Sequence, residues 1–199
     1  MADLEKTGKN LEGRGFRVHR FASGAEAAEF LVQTLHGTSI GIGGSVTIDT
    51  LGVYDRLCGS NEVFWHWKNH APETRERAGK AETYLCSANG VSENGEIVNI
   101  DGFGNRVAGT IYGPERAFLV VGRNKIAPDL TGAIDRARNI AAPLNARRLN
   151  RHTPCAVGEP RCHDCRSPEK VCGVMTVFFM PPTSIKEFHV ILVDEDLGY

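Results

Sequence analysis

The sequence predicts an α/β layered fold built on a largely parallel sheet, and three observations carry that prediction. Short β-rich runs alternate with helical patterns through the first two thirds of the chain, as strand–helix–strand units require. Ala117 to Val121 (AFLVV) is apolar without interruption and bounded by Gly122, the pattern of a central parallel strand buried on both faces. Gly43-Gly44-Ser45 stands where an apolar strand runs directly into a helical stretch.

Taken in order, Phe16 to Phe21 alternates as a strand. Ser23 then caps a helix to about Leu35 that carries Ala27, Phe30, Leu31 and Leu35 on its buried stripe. Ser39 to Ile42 is a second strand, followed by the glycine pair and a helix predicted over Val46 to Leu57. Trp65 and Trp67 flank His66 on an alternating run and read as strand packing or as a pocket wall. Thr74 to Ala81 is helical in pattern and Thr83 to Ala88 extended. Asn94-Gly95 predicts a hairpin with both turn residues at positive φ, its arms Val91 to Glu93 and Glu96 to Ile100. A helix starts near Asp129, spaces Leu130, Ile134, Ala137 and Ala141 at helical intervals, and is expected to stop at Pro143. Arg-rich and then Cys-rich chain follows to about Gly173, and two β runs, Val174 to Met180 and Phe188 to Val193, close the molecule.

The 199 residues, 41% of them hydrophobic and 24% charged, suffice for one domain spanning 1–199, with the Cys-rich loop at about 152–173 as part of it. A net charge of -1 supplies no field that would draw the molecule to nucleic acid. Arg136, Arg138, Arg147, Arg148 and Arg151 lack an intervening acid, yet they read more simply as a solvated helix end than as a phosphate-contacting face. Met1 to Arg20 contains no apolar run of signal-peptide length, and Val174 to Met180 is far too short to span a membrane. The expectation is a cytoplasmic protein with no membrane partner. Subunit number is not encoded in any readable pattern, and a homo-oligomer is compatible with it.

Six cysteines are the unusual feature of this composition. Cys155, Cys162, Cys165 and Cys172 form a C-x6-C-x2-C-x6-C pattern, while Cys58 and Cys86 stand apart and read as reduced, mostly buried thiols. Cytosolic thiols stay reduced, which turns the four-cysteine cluster away from disulfides and toward metal. Four thiolates suit a [4Fe-4S] cluster or a tetrahedral zinc. The single C-x2-C pair leans toward the cluster, because structural zinc sites usually join two such knuckles. Including Arg161 before the central pair, the loop resembles the [4Fe-4S] loop of endonuclease III class DNA glycosylases, but the glycosylase helix-hairpin-helix has no counterpart here.

Two segments point to a small anionic ligand. Gly43, Gly44, Ser45 and Thr47 form a strand–glycine–helix junction whose converging N–H groups favour a carboxylate or phosphate, with Ser45 as a plain helix cap the competing reading. Asp101, Asn105 and Arg106 bring a carboxylate, an amide and a guanidinium onto a glycine-rich turn, where Arg106 offers a bidentate clamp. Turn chemistry alone also accounts for Asp101 and Asn105. Asn124 and Lys125 follow the central strand at what would be the carboxyl edge of the sheet, the edge where ligands bind in such folds.

The strings GEIVNIDGFGNRVAG, YGPERAFLVVGRNKIAPDL, ARNIAAPLNARRL and GIGGSVTIDTLG resemble the lactate-utilisation (LUD) domain family, over about Gly15 to Tyr199. That resemblance implies a three-layer α/β/α Rossmann-like domain similar to the ribose-5-phosphate isomerase and coenzyme A transferase superfamily. It also implies a pocket at the carboxyl edge formed partly by Gly43 to Thr47. Some members are associated with oxidation of lactate to pyruvate alongside iron-sulfur subunits, which implies iron-sulfur oxidoreductase subunits as partners and an accessory or electron-transfer role. Where the family often has Thr-Gly-Thr-Asn-Ala-hydrophobic-Thr, this chain has Cys86-Ser87-Ala88-Asn89-Gly90-Val91-Ser92. The alternative expectation is an independent isomerase or acyl-transfer enzyme with Asp101 or Glu93 as base or nucleophile and the four cysteines around a structural zinc.

Overall fold

A computed structural model describes residues 3–199. Its main sheet has six strands, all parallel: β1 (Arg17–Phe21), β2 (Ser39–Ile42), β3 (Glu62–Trp65), β4 (Thr83–Ser87), β7 (Arg116–Gly122) and β10 (Glu187–Val193), in the order β1-β10-β7-β4-β2-β3. Helices pack on both faces, which makes the three-layer α/β/α arrangement. Alternation along the central strands explains the two faces. Phe118 and Val120 join Ile191 and Val193 in one core with Leu31, Ile42 and Leu85, while Leu119 and Val121 join Val190 and Leu192 in the other with Leu11 and Phe16. A strand apolar at every position is thereby buried on both sides, as β7 is along Ala117 to Gly122.

A smaller four-stranded sheet sits beside it, formed by β5 (Gly90–Ser92), β6 (Ile97–Asp101), β8 (Ile126–Ala127) and β9 (Val174–Phe178) in the order β8-β5-β6-β9. The final two β runs therefore part company: Val174 to Phe178 pairs antiparallel with β6, and only the last strand enters the main sheet. The β5–β6 hairpin exists, but its turn differs from the expected one. Gly95 alone takes positive φ (91°), and the Ser92 N–H bonds to the Glu96 carbonyl across a three-residue loop, so the turn is a bulged type rather than the two-residue mirror form.

Two helical expectations change, and one helix stands where none was expected. A helix α1 (Leu4–Gly13), capped by the Asp3 carboxylate on the Lys6 N–H, precedes β1 and packs Leu11 into the core. The helix α2 (Gly24–Thr34) is capped by Ser23 as its sequence indicates. The stretch from Val46 to Leu57 is two helices, α3 (Val46–Leu51) and α4 (Tyr54–Cys58), because Gly52 adopts the left-handed conformation (φ 63°) that ends α3. Beyond these, α5 (Thr74–Lys80) precedes β4 and α6 (Asn105–Ile111) follows β6.

Pro143 does not terminate the helix that begins after Asp129. Helix α7 (Leu130–Arg136) passes through a π-turn over Ala137–Ala141 into α8 (Ala142–Arg148), and Pro143 occupies the first turn of α8. The wider i to i+5 winding sits just where the proline withholds its N–H and would crowd the preceding carbonyls, so the helix continues with one residue of slack. No helix among the described residues is long and apolar enough to cross a membrane.

Candidate functional site

The carboxyl ends of the parallel strands open onto one cavity of about 850 Å³, a size suited to a small metabolite. Ser87 ends β4, Thr47 lies in the first turn of α3 after β2, and Lys125 lies in the 3-10 turn Arg123–Lys125 after β7. These three meet at the floor. Lys125 Nζ donates to Thr47 Oγ1 at 2.7 Å and to Ser87 Oγ at 2.8 Å, with the lysine 3% exposed. Burial, followed by the charges of Arg136 and Arg106, pushes the Lys125 amine down to about 7.

The walls come from elsewhere in the chain. Arg106 on α6 donates through Nη2 to Asn89 Oδ1 at 3.1 Å and to the Ile100 carbonyl, which aims the guanidinium along the cavity side. Gly43 lets this happen: a Cβ there would stand 3.3 Å from Arg106 Cγ and 3.0 Å from the Tyr84 hydroxyl. Arg148 on α8 bonds Asn145 Oδ1 at 2.8 Å and the Tyr199 hydroxyl at 2.9 Å, and its guanidinium lies 4.5 Å from the centroid of the Trp67 ring. Trp65 closes β3 fully buried, whereas Trp67 lies beyond the strand and lines the cavity.

The sequence-derived residues divide accordingly. Gly44, Ser45, Thr47, Asp101, Asn105, Arg106 and Lys125 line the cavity. Ser45 does so while serving as the cap of α3, its hydroxyl accepting from the Ile48 N–H. Gly43 stands behind the wall, and Asn124 works as a latch. Its side chain accepts from the Leu197 N–H and donates to the Gly198 carbonyl, pinning the tail against the sheet edge. Asp101 accepts backbone N–H bonds from Phe103, Arg106 and Val107, so its carboxylate shapes the turn that launches α6. Glu93 is outside the cavity, bound to Lys6 Nζ at 3.0 Å and to the Asp3 N–H. Neither carboxylate stands free over the cavity as a base.

The five arginines after Asp135 are not one face. Arg136 is buried and donates to the carbonyls of Asn124 and Asn89. Arg147 holds the carbonyls of Ala156 and Gly158, Arg138 meets Cys162 Sγ and Asp164, and Arg148 and Arg151 line the cavity. Asn145 was missed in the sequence and Arg148 was read as part of a solvated helix end or a phosphate-contacting face, because their approach to the Trp67 side of the cavity depends on the π-turn upstream.

The cysteine loop forms part of the rim through Pro168 to Val171. It lies so close to the Asp101-Gly102 turn that a Cβ on Gly102 would come within 2.8 Å of Val171 Cα. Cys155, Cys162, Cys165 and Cys172 are half-buried free thiols, Cys86 is buried, and Cys58, contrary to expectation, is exposed at the end of α4. Burial raises the Cys172 thiol, and the neighbouring Cys162, Cys165 and Cys155 oppose its ionisation further against a lowering by Lys170, so the four sulfurs share one neighbourhood. They are not drawn into a ligand set: among the described residues no three His, Cys, Asp or Glu side chains stand close enough together to hold a metal ion. The donor chemistry fits a sulfur-bound centre, whereas the spacing of the thiols does not.

The LUD domain family model matches residues 4–193, beginning ahead of the resemblance read from the motifs. Among solved structures, a DUF162 family protein from Deinococcus radiodurans shares the fold at a TM-score of 0.55 and 14% identity, over 96% of this chain and 95% of that one. No curated protein matches the chain.

Proposed function

The chain belongs to the LUD domain family, a lactate-utilisation-related group, and from that premise we propose that it binds a small carboxylate metabolite in the carboxyl-edge cavity. The observation that carries this reading is the charge of the lining. Leaving out the buried Lys125, six lysines and arginines face three carboxylates there, and one of those three, Asp101, already accepts three backbone N–H bonds. A small anion is what such a cavity would neutralise, with Arg106 and Arg148 on the walls as its charged donors. Titration calorimetry with lactate and pyruvate, against the uncharged lactamide, tests it. Both acids are expected to bind and the amide to fail. Arg148→Ala is expected to weaken the acids by roughly 10- to 100-fold, the scale of one hydrogen bond to a charged group. Equal binding of the amide, or none by any of the three, overturns the reading.

The four cysteines are the second half of the proposal, a metal centre for which the sulfur count and shared neighbourhood are the support. Cys155, Cys162, Cys165 and Cys172 would hold it once the loop draws in. A [4Fe-4S] cluster would supply one-electron transfer, consistent with an accessory role beside iron-sulfur oxidoreductase subunits, whereas zinc would only brace the loop. Iron, sulfide and zinc analysis of protein purified without oxygen decides between them, and absence of all three removes the centre.

A further inference from the structure

We propose that Lys125 is a carbonyl-reactive amine that condenses with a 2-oxo acid bound in the cavity. This deepens the carboxylate-binding reading and rests on it for the anion. The geometry speaks through a count of protons. Ser87 Oγ donates its only proton to the Val120 carbonyl at 2.6 Å, and Thr47 Oγ1 donates its own to the Leu197 carbonyl at 3.2 Å. Both hydroxyls must therefore accept from Lys125 Nζ, at 2.8 and 2.7 Å. A neutral amine has two N–H bonds, and both are satisfied. The third proton of an ammonium would meet no protein partner, because among the described residues Nζ makes no other hydrogen bond and no salt bridge to a carboxylate.

The surroundings press the same way. The charged or titratable groups that face the amine are Arg136 from α7, Arg106 from α6 and the thiol of Cys86 on β4; both arginines disfavour a proton on Nζ. What remains is a lone pair on a residue that lines the cavity, beside guanidiniums suited to hold a carboxylate. A carbonyl carbon next to that carboxylate is the electrophile this pairing fits. The lone pair adds to the carbonyl carbon, the carbonyl oxygen takes up a proton, and the C–O bond then breaks as water leaves with the nitrogen's second proton lost, forming C=N. Amine and ketone give imine and water, with no oxidant or reductant.

The test is reductive trapping of the full chain with pyruvate and sodium cyanoborohydride at pH 7, followed by peptide mass mapping. One adduct, at Lys125, is expected to form well ahead of any at the other six lysines. An amine titrating near 7 has roughly a thousandfold larger neutral fraction at that pH than an ordinary lysine. Lactate, which lacks the carbonyl, is expected to leave no adduct, and Lys125→Arg to abolish it. Wild-type mapping needs no variant to fold. Adducts scattered over surface lysines, or none, with pyruvate binding intact by calorimetry, overturn the imine and leave the cavity reading standing. Loss of both adduct and binding overturns both.

Discussion

The floor of the cavity and the cysteine loop lie side by side yet are held by opposite means. At the floor, Thr47, Ser87 and Lys125 hang from strand ends and are locked by one another and by backbone carbonyls, with almost no exposure. From Thr153 to Gly173 the only regular element is α9 (Pro154–Val157), and the loop is tied down from outside by Arg147 on its carbonyls, Asn139 on the Cys162 N–H and Arg138 on Cys162 and Asp164, and from within by Lys170 on the Cys165 carbonyl. Asp164, inside the C-x2-C turn, takes a left-handed conformation (φ 46°). A parallel sheet fixes positions before any ligand arrives, whereas a loop held by side chains has room to rearrange around whatever its thiols meet.

Thiol labelling gives the largest expected contrast. In folded protein freed of metal, an aromatic disulfide reagent is expected to modify the four loop thiols and Cys58 quickly and to leave Cys86 untouched. Burial pushes the Cys86 thiol up to about 12, and its exposure requires opening of the core. A rate gap of roughly a thousandfold or more follows from opening free energies near the global value. Comparable rates would mean that the scaffold opens as readily as the loop.

Stability gives the next contrast. Leu119→Ala, at a fully buried position in β7, is expected to cost about 2–5 kcal/mol in urea unfolding, whereas Arg138→Ala in the exposed tie to the loop should cost less than about 1 kcal/mol. Similar losses would erase the distinction.

A smaller effect is the pH dependence. The His189 ring stacks on Phe118 at 4.2 Å and on His19 at 5.2 Å, and burial above all pushes it down to about 4. Glu187 pulls it up, while Arg17 and His19 add to the lowering. An unfolded histidine titrates near about 6.5, so below that value the unfolded chain takes up a proton that the folded chain refuses. Stability is therefore full above about 6.5 and is lost as pH falls toward 4. Urea midpoints at pH 7.0, 5.5 and 4.5 are expected to decline in wild type and less steeply in His189→Phe, with Arg138→Ala tracking wild type; parallel curves for His189→Phe and wild type would refute this.

What the sequence made legible was local. The run at Ala117 to Val121 announces a strand buried on both faces because no polar residue interrupts it, and Lys125 follows it at the carboxyl edge by simple counting. Helix α1 stayed hidden because LEKTGKNLEG carries so few apolar residues, and it earns its place by covering Phe16 and the hairpin. Asp101 illustrates a different limit. A carboxylate on a glycine-rich turn has the same local pattern whether it meets a ligand or the N–H groups of its own helix, and the direction of α6 decides. That Arg148, alone with Arg151 of its arginine cluster, faces the cavity could not be foreseen, because its reach depends on how the backbone winds ten residues earlier.

That winding has a consequence of its own. Each residue of an α-helix turns the chain by about 100°, so the extra residue accommodated at Ala137–Ala141 acts as a phase shifter for everything beyond it. With the π-turn present, Asn145 and Arg148 meet Tyr199 and Trp67 at the cavity wall. Wound as plain α-helix with the same residues, α8 would turn by about 100°, carrying Asn145 and Arg148 off the wall and Ala142 and Ala146 out of the core. Which residues of α8 face the cavity is thus set by angular register as much as by their identity.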